Sequence, residues 1–254
     1  MPRVTTEALT LRRTPYGETS QVAVFLTATH GRQSLIAKGV HRPKSRKGGG
    51  LDLLDHSLVT WTSKRGSRAL PQLIERKVRE HHPAMRRRSD LLAAGSWLVE
   101  LLLGLVADGQ HVPGVFRLSL AYLEALDLCP APDAVAPAAF ALQGGLLRLT
   151  GFEPTLDRCV SCQRRPEAHH LLRCDPVRGG VVCGACREGD DHSFALSARA
   201  AAVARALAGR DPRSAVELTL PPAVESQIRH YHERILVHLL ERPPRCRLPA
   251  APAA

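Results

Sequence analysis

The sequence lacks the features of a membrane-spanning or secreted protein. Its longest apolar stretch, Leu91–Val106, is interrupted by Ser96 and Glu100, whereas a helix that crosses a bilayer needs about 20 apolar residues. The first 25 residues show neither the charged start nor the apolar run of a signal peptide. We therefore expect a cytoplasmic protein, associated with the nucleoid if it binds DNA.

The sequence also lacks the motifs on which many active sites are built. It has no P-loop, and no G-x-G-x-x-G segment follows a predicted strand, which argues against the common nucleotide-binding folds. No nucleophile elbow or paired-carboxylate motif stands out. His232 and His238 do not have the i, i+4 spacing of the helical metalloprotease motif. We expect no catalytic activity and name no catalytic residue.

Aromatic side chains are scarce, at 4% of the chain, so few rings could stack on nucleic-acid bases. Tyr16 stands in a turn beside Gly17 and is the best candidate for an exposed ring. Phe25 has the pattern of a core residue, and Trp61 fits either a core or a stacking position.

Basic residues are plentiful and unevenly placed. The net charge is +11, with 30 Arg and 5 Lys, and residues 30–88 alone contain 15 basic and 4 acidic residues. Residues 89–158 are acidic by contrast, with 3 basic and 8 acidic residues. A biased composition would spread the charge along the chain, so this block indicates a polyanionic partner such as nucleic acid.

The hydrophobic pattern changes from strands to helices near Pro83. Five short alternating runs between residues 4 and 79, separated by turn signals, predict a small β-barrel or sandwich. Helical periodicity follows in segments starting near Ser89, Gly114, Pro137, Ser197 and Pro222. Ser89 is a candidate N-cap and Gly109 a candidate C-terminal stop for the first of these helices. The resulting fold class is α+β: an N-terminal barrel followed by an all-α domain.

Four cysteines form the clearest motif in the chain. Cys159, Cys162, Cys183 and Cys186 make a C-x2-C-x20-C-x2-C array, which predicts a tetrahedral zinc module with four cysteine ligands. Four thiolates leave no open coordination position, so the zinc is expected to be structural. Free thiols or a redox pair are the alternatives, and Cys174, His169 and His170 are substitute ligands. Cys129 and Cys246 have no partner motif and are interpreted as ordinary thiols.

These features define five segments. We predict a basic barrel over residues 1–80, the first part of a helical domain over 81–156 and the zinc module over 157–190. The second part of the helical domain follows over 191–242, and a Pro-rich disordered tail over 243–254.

The basic barrel fits the OB-fold, which binds single strands in a positively charged groove. The segment Lys38–Gly50, "KGVHRPKSRKGGG", lies between the third and fourth predicted strands and is called the basic loop below. For Arg86–Arg88, a run of solvent-exposed charges is favoured over a contact with DNA. The predicted phosphate-binding residues are Arg32, Lys38, Arg42, Lys44, Arg46, Lys47, Lys64, Arg65 and Arg68.

Two stretches of sequence resemble one known family. "LRRTPYGETSQVAVFLTATHGRQSLIAKGVHRPKSR" is similar to the N-terminal domain of the RecO family of bacterial recombination mediators, with His41 where the family's basic loop has a basic residue. "LLRLTGFEPTLDRCVSC" and "GGVVCGAC" resemble the entry to and exit from that family's zinc module. The resemblance covers roughly residues 1–240.

The resemblance implies an OB-fold, a helical domain and an embedded zinc module. It also implies binding of single- and double-stranded DNA, annealing of complementary strands, and action with RecR in helping RecA displace single-strand-binding protein. Direct contact with single-strand-binding protein, the RecR-binding surface and the oligomeric state stay open.

Two other functions remain open from the residues. An RNA- or ribosome-associated basic zinc protein is the main alternative, because OB-folds bind both polymers. A metal-dependent nuclease that uses the cysteine cluster is the other.

Overall fold

The structure of the protein, a computed structural model, describes residues 3–41, 50–62, 69–165, 171–186 and 192–249. Within these ranges a β-rich N-terminal part is followed by helices, with a small sheet inserted between the fourth and fifth helices. The strands are β1 Arg3–Tyr16, β2 Ser20–Thr27, β3 Gly31–Ala37, β4 His56–Thr62, β5 Gln72–Glu80, β6 Leu172–Asp175, β7 Gly180–Val182 and β8 Phe194–Leu196. The helices are α1 Pro83–Arg86, α2 Ser89–Leu105, α3 Val115–Leu128, α4 Val135–Thr150, α5 Ala198–Ala208, α6 Pro212–Ala215 and α7 Pro222–Leu240.

The first five strands close into a barrel in the order β1-β2-β3-β5-β4. Strand β1 is long enough to pair with β2 along one half and with β4 along the other. Strands β3 and β5 run parallel and meet at Ile36 and Gln72. This confirms the predicted N-terminal barrel, and Pro71 precedes β5, where its missing N–H costs no ladder bond.

The barrel interior is filled by the inward-facing residues of the strands. Phe25 is fully buried there, as its pattern predicts, together with Leu35, Val59 and Leu73. Trp61 is buried in the same cluster, with its ring edge-on to His30. The structure therefore assigns Trp61 to the core and removes it as a stacking platform.

The opposite face of the barrel is covered by helices. Leu9, Leu11 and Leu26 belong to the same hydrophobic cluster as the helical residues, so both faces of β2 are apolar. Gly31 has φ 65°, and a Cβ there would collide with the carbonyl of Gln110. A glycine is needed at this position because the loop after α2 passes directly against the barrel.

Helix α4 lies at the centre of the helical part. Every residue from Val135 to Leu147 is buried, which explains its lack of a polar face. A Cβ at Gly144 would lie 2.6 Å from the Cβ of Ala208. The small residues of α4 thus let α5 pack closely against it.

The five predicted helices are present, with shifted ends for the first. Ser89 is the first residue of α2, and Arg88 occupies the N-cap position in an extended conformation. Helix α2 ends at Leu105, before Gly109, whose N–H donates to the carbonyl of Arg32 at 2.7 Å. The helix ends early because the chain turns to pair with β3. None of the described helices has the length and apolarity of a bilayer span.

The segment after α7 is packed as far as the structure describes it. Buried Glu100 accepts hydrogen bonds from the backbone N–H groups of Arg245 at 2.9 Å and Cys246 at 2.7 Å, and from the Arg242 guanidinium at 2.7 Å. Arg229 also donates to the carbonyl of Leu248. Glu100 thus contacts Arg245 and Cys246 within the predicted Pro-rich tail, whose disorder stays a prediction. The predicted domain boundaries stay predictions, because one hydrophobic cluster contains residues of the barrel, the helices and the small sheet.

Candidate metal centre and nucleic-acid face

The four cysteines of the predicted array lie together. Their Sγ atoms are all within 4.8 Å of one another, and the Sγ atoms of Cys162 and Cys183 are 3.7 Å apart. The first pair stands in a turn after Leu156, and the second follows β7 in a 3-10 turn, Gly184–Cys186. This arrangement is close enough for one metal ion to bind all four thiols.

Backbone hydrogen bonds hold the two turns against each other. The N–H of Val160 donates to the carbonyl of Val181, and the N–H of Val181 donates to Thr155, both at 2.9 Å. A Cβ at Gly180 would collide with the carbonyl of Thr155, so a larger residue would force the segments apart. The turn that carries Cys159 closes through Gln163, which adopts φ 63°.

The geometry fits a tetrahedral sulfur site. Zn–S bonds of about 2.3 Å place tetrahedral ligands about 3.8 Å apart, close to the separation seen between Cys162 and Cys183. Burial opposes ionisation of Cys159, but N–H donors from Cys162, Cys183 and Ser161 outweigh it and lower the pKa of that thiol to about 6. Hydrogen bonds with the neighbouring thiols of Cys183 and Cys162 raise the pKa of Cys186 to about 12, because they favour its protonated form.

The other cysteines lie outside this cluster. Cys174, one of the substitute ligands, is buried on β6, and this burial raises the pKa of its thiol to about 12. The thiol of Cys129 donates to the carbonyl of Ala131 at 3.1 Å, and Cys246 lies near Glu100. The substitute ligands His169 and His170 lie outside the described residues.

The structure describes only two of the nine predicted phosphate-binding residues. Lys38 is exposed just after β3. The other seven, namely Arg42, Lys44, Arg46, Lys47, Lys64, Arg65 and Arg68, lie outside the described residues, and their role stays a prediction.

Arg32 joins the barrel to the helical part. Its guanidinium donates to the carboxylate of Asp108 at 2.7 Å and to the carbonyl of Leu103 at 2.6 Å. The Arg32 side chain is only 15% exposed. These contacts give Arg32 a structural role at the junction, which competes with the DNA contact that the charge pattern suggests.

One end of the barrel combines an exposed ring with the start of the basic loop. Beyond a bulge between Thr10 and Arg12, the second half of β1 pairs with β2 and with no other described strand, and its residues are exposed. Tyr16, at the tip of this hairpin, is 61% exposed. The N–H of His41 donates to the carbonyl of Thr19, and that of Gly39 donates to the Ser20 hydroxyl. The hairpin tip and the base of the basic loop are therefore hydrogen-bonded neighbours.

Arg12 and Arg245, which the sequence pattern did not single out, line a groove between the barrel and α2. Arg86, from the run Arg86–Arg88, lines the same groove. The available signal was the pair Arg12–Arg13, because adjacent charged residues on a strand indicate that neither face is buried there.

Comparison with known families gives matches along nearly the whole chain. The family model "Recombination protein O N terminal" matches residues 1–80, and "Recombination protein O C terminal" matches residues 86–248. Neither description names a catalytic activity.

Similar proteins include several that carry the name "DNA repair protein RecO". The one from Anaeromyxobacter sp. (strain K) is 34% identical over 88% of this chain and 86% of its own length. The one from Rhodopirellula baltica is 33% identical over 85% of this chain and 76% of its own. The one from Moorella thermoacetica is 31% identical over 75% and 69%.

Proposed function

Since the chain belongs to the RecO family, we propose that it is a DNA-binding recombination mediator that anneals complementary strands and has no catalytic activity of its own. The observation that carries the proposal is the end of the barrel where exposed Tyr16 adjoins the base of the basic loop. A ring beside a cluster of cations is the combination with which OB-folds bind single strands.

The mechanism that we propose is charge neutralisation. Two nucleic-acid backbones repel each other, and a basic surface that holds both lowers this repulsion so that base pairing can nucleate. No nucleotide is consumed, and affinity should depend strongly on salt and weakly on sequence because the contacts are to phosphates.

The proposed partners follow from the family. We propose that the protein acts with RecR to help RecA load on DNA coated with single-strand-binding protein, in the cytoplasm and at the nucleoid. Double-stranded DNA is a second ligand. A direct contact with single-strand-binding protein is compatible with this role.

The proposed metal is zinc, held by Cys159, Cys162, Cys183 and Cys186. The distance between sulfurs supports it, and the all-thiolate set suits a structural ion better than a catalytic one. The bound zinc would join the turn before β6 to the turn after β7, in a region with few apolar residues of its own. The nuclease alternative is disfavoured because four thiolates leave no position for water.

The basic loop can be tested by removing three of its charges. The variant with Lys44, Arg46 and Lys47 changed to Ala should bind single strands about 100-fold more weakly at 0.1 M salt, since each lost phosphate contact reduces the salt slope by about 0.7. Its annealing of complementary oligonucleotides should slow in parallel. A variant with Arg117, Arg199 and Arg205 changed to Ala removes the same charge elsewhere and serves as the control. Equal annealing and equal salt slopes for both variants would refute the role of the loop.

A further inference from the structure

A large groove runs between the barrel, helix α2 and the C-terminal segment. Its volume is about 620 Å³, within the range of sites that bind small molecules. Its walls come from the exposed half of β1, the segment before β4, one side of α2 and residues 242–246.

The rim of this groove is strongly basic. Five arginines line it, against two acids, so the lining has a net charge of +3. We call it the arginine groove, after Arg12, Arg13, Arg86, Arg242 and Arg245.

Three of the five arginines form salt bridges within the protein. Arg13 pairs with Asp52, Arg86 with Asp55 and Arg242 with Glu100. Within the part of the chain that the structure describes, the side chains of Arg12 and Arg245 form no salt bridge. These two are the cations best placed to bind an external anion.

The floor of the groove is apolar. Leu53 and Leu92 are 41% and 39% exposed, and Val99 and Leu103 extend the same surface along α2. An apolar floor beneath arginines suits a ligand with flat faces and anionic groups, because a guanidinium can both bind phosphate and stack on a planar ring.

We propose that the arginine groove binds one strand of nucleic acid, with phosphates on Arg12 and Arg245 and bases over Leu53 and Leu92. This inference rests on the proposed function and adds a second strand site to it. The exposed half of β1 connects the two: Arg12 lines the groove, and Tyr16 ends beside the base of the basic loop. Four residues of strand span about 13 Å, so the groove and the base of the basic loop lie close together along one strand.

An acidic peptide would satisfy the same charges and is the competing occupant. A nucleic-acid strand is favoured because β1, which lines the groove through Arg12 and Arg13, leads to an exposed aromatic ring, Tyr16, that can stack on bases.

The test compares two double variants. Arg12→Ala with Arg245→Ala removes both proposed phosphate contacts, and Arg117→Ala with Arg199→Ala removes the same charge from exposed helical sites. Oligothymidylate of about 10 nucleotides, short enough to occupy one site, is titrated at several salt concentrations, and thermal melting verifies that each variant is folded.

We expect two oligonucleotides to bind each wild-type and control chain, and one to bind the groove variant. Affinity for the lost site should fall about 25-fold at 0.1 M salt, because two phosphate contacts reduce the slope by about 1.4. Annealing should slow for the groove variant and for the basic-loop variant alike.

Two results would overturn the proposal. The first is a groove variant with unchanged stoichiometry, salt slope and annealing rate; the basic loop would then carry the proposed function alone. The second is a groove variant that loses binding of an oligoglutamate peptide while its DNA binding is intact. If wild-type protein binds no oligonucleotide at all, the proposed function fails as well, and this outcome is distinct from the other two.

Discussion

Replacing Arg32 with Ala should destabilise the protein and leave its DNA affinity unchanged. The variant loses the 2.6 Å hydrogen bond to the Leu103 carbonyl and the 2.7 Å ion pair with Asp108. A hydrogen bond from a charged donor contributes about 1.5–3 kcal/mol. The ion pair adds at most about 1 kcal/mol, because Asp108 is 66% exposed.

The expected loss is therefore about 2–4 kcal/mol of unfolding free energy, or a fall of about 10 °C in Tm for a chain of this size. Thermal melting followed by circular dichroism measures it, and fluorescence anisotropy with a labelled single strand measures affinity. Asp108→Ala is the control: it removes only the exposed partner and should lower Tm by no more than about 2–4 °C. An unchanged Tm with a roughly fivefold weaker affinity would refute the reasoning and return Arg32 to the phosphate-binding set.

Three further predictions concern the metal centre, the core and the exposed ring. Cys159→Ser should remove bound zinc, as measured by atomic spectroscopy, and lower Tm while DNA affinity is retained, whereas Cys246→Ser outside the cluster should do neither; equal Tm for metal-free and wild-type protein would contradict a folding role. Burial lowers the pKa of His232 to about 3 from its ordinary 6.5, so this group stays neutral when folded and gains a proton more easily when unfolded. His232 contributes no pH dependence above pH 6.5, and the unfolding free energy should fall by about 1.4 kcal/mol for each unit by which the pH is lowered from 6.5 to 3. Denaturant titrations should show a shallower pH dependence of the unfolding free energy in His232→Leu. An equal pH dependence in the two proteins would exclude His232 as its source. Tyr16→Ala should weaken single-strand binding by about 5- to 100-fold through lost stacking, and Tyr16→Phe, which keeps the ring, should bind nearly as wild type; equal loss in both would point to the hydroxyl instead.

The barrel and the main helices could be predicted because their signals are local. Alternation in β2 and the turn residues around it specify strands, and the spacing of Ile228, Tyr231 and Ile235 specifies one buried stripe of α7. The cysteine array could be predicted for the same reason, since two short motifs carry all four ligands. Such patterns do not depend on what the chain meets elsewhere in the fold.

Features that depend on distant contacts could not be predicted. Helix α2 ends early because Gly109 bonds to Arg32, a residue 77 positions away in the chain. The C-terminal segment is packed because of one buried carboxylate, Glu100, which in the sequence is merely a charge within an apolar run. Strands β6, β7 and β8 are too short for a periodic signal, at four, three and three residues.

The contacts that each arginine makes likewise could not be predicted from the charge pattern alone. The charge block around residues 30–88 grouped Arg32 with the phosphate-binding residues, yet its side chain is committed to Asp108 and Leu103. Arg12 and Arg245 fall outside that block and come together only through the tertiary fold. A count of charged residues along the chain cannot distinguish an arginine paired within the fold from one that lines a groove.

We propose above all that this protein brings complementary strands together by neutralising their backbones. The most direct measurement is the annealing rate of complementary oligonucleotides with purified wild-type protein, without nucleotide or added divalent cation, over a series of salt concentrations. We expect faster annealing than without protein, declining steeply as salt rises, with both strands left intact. No acceleration at low salt, or cleavage of either strand, would contradict it.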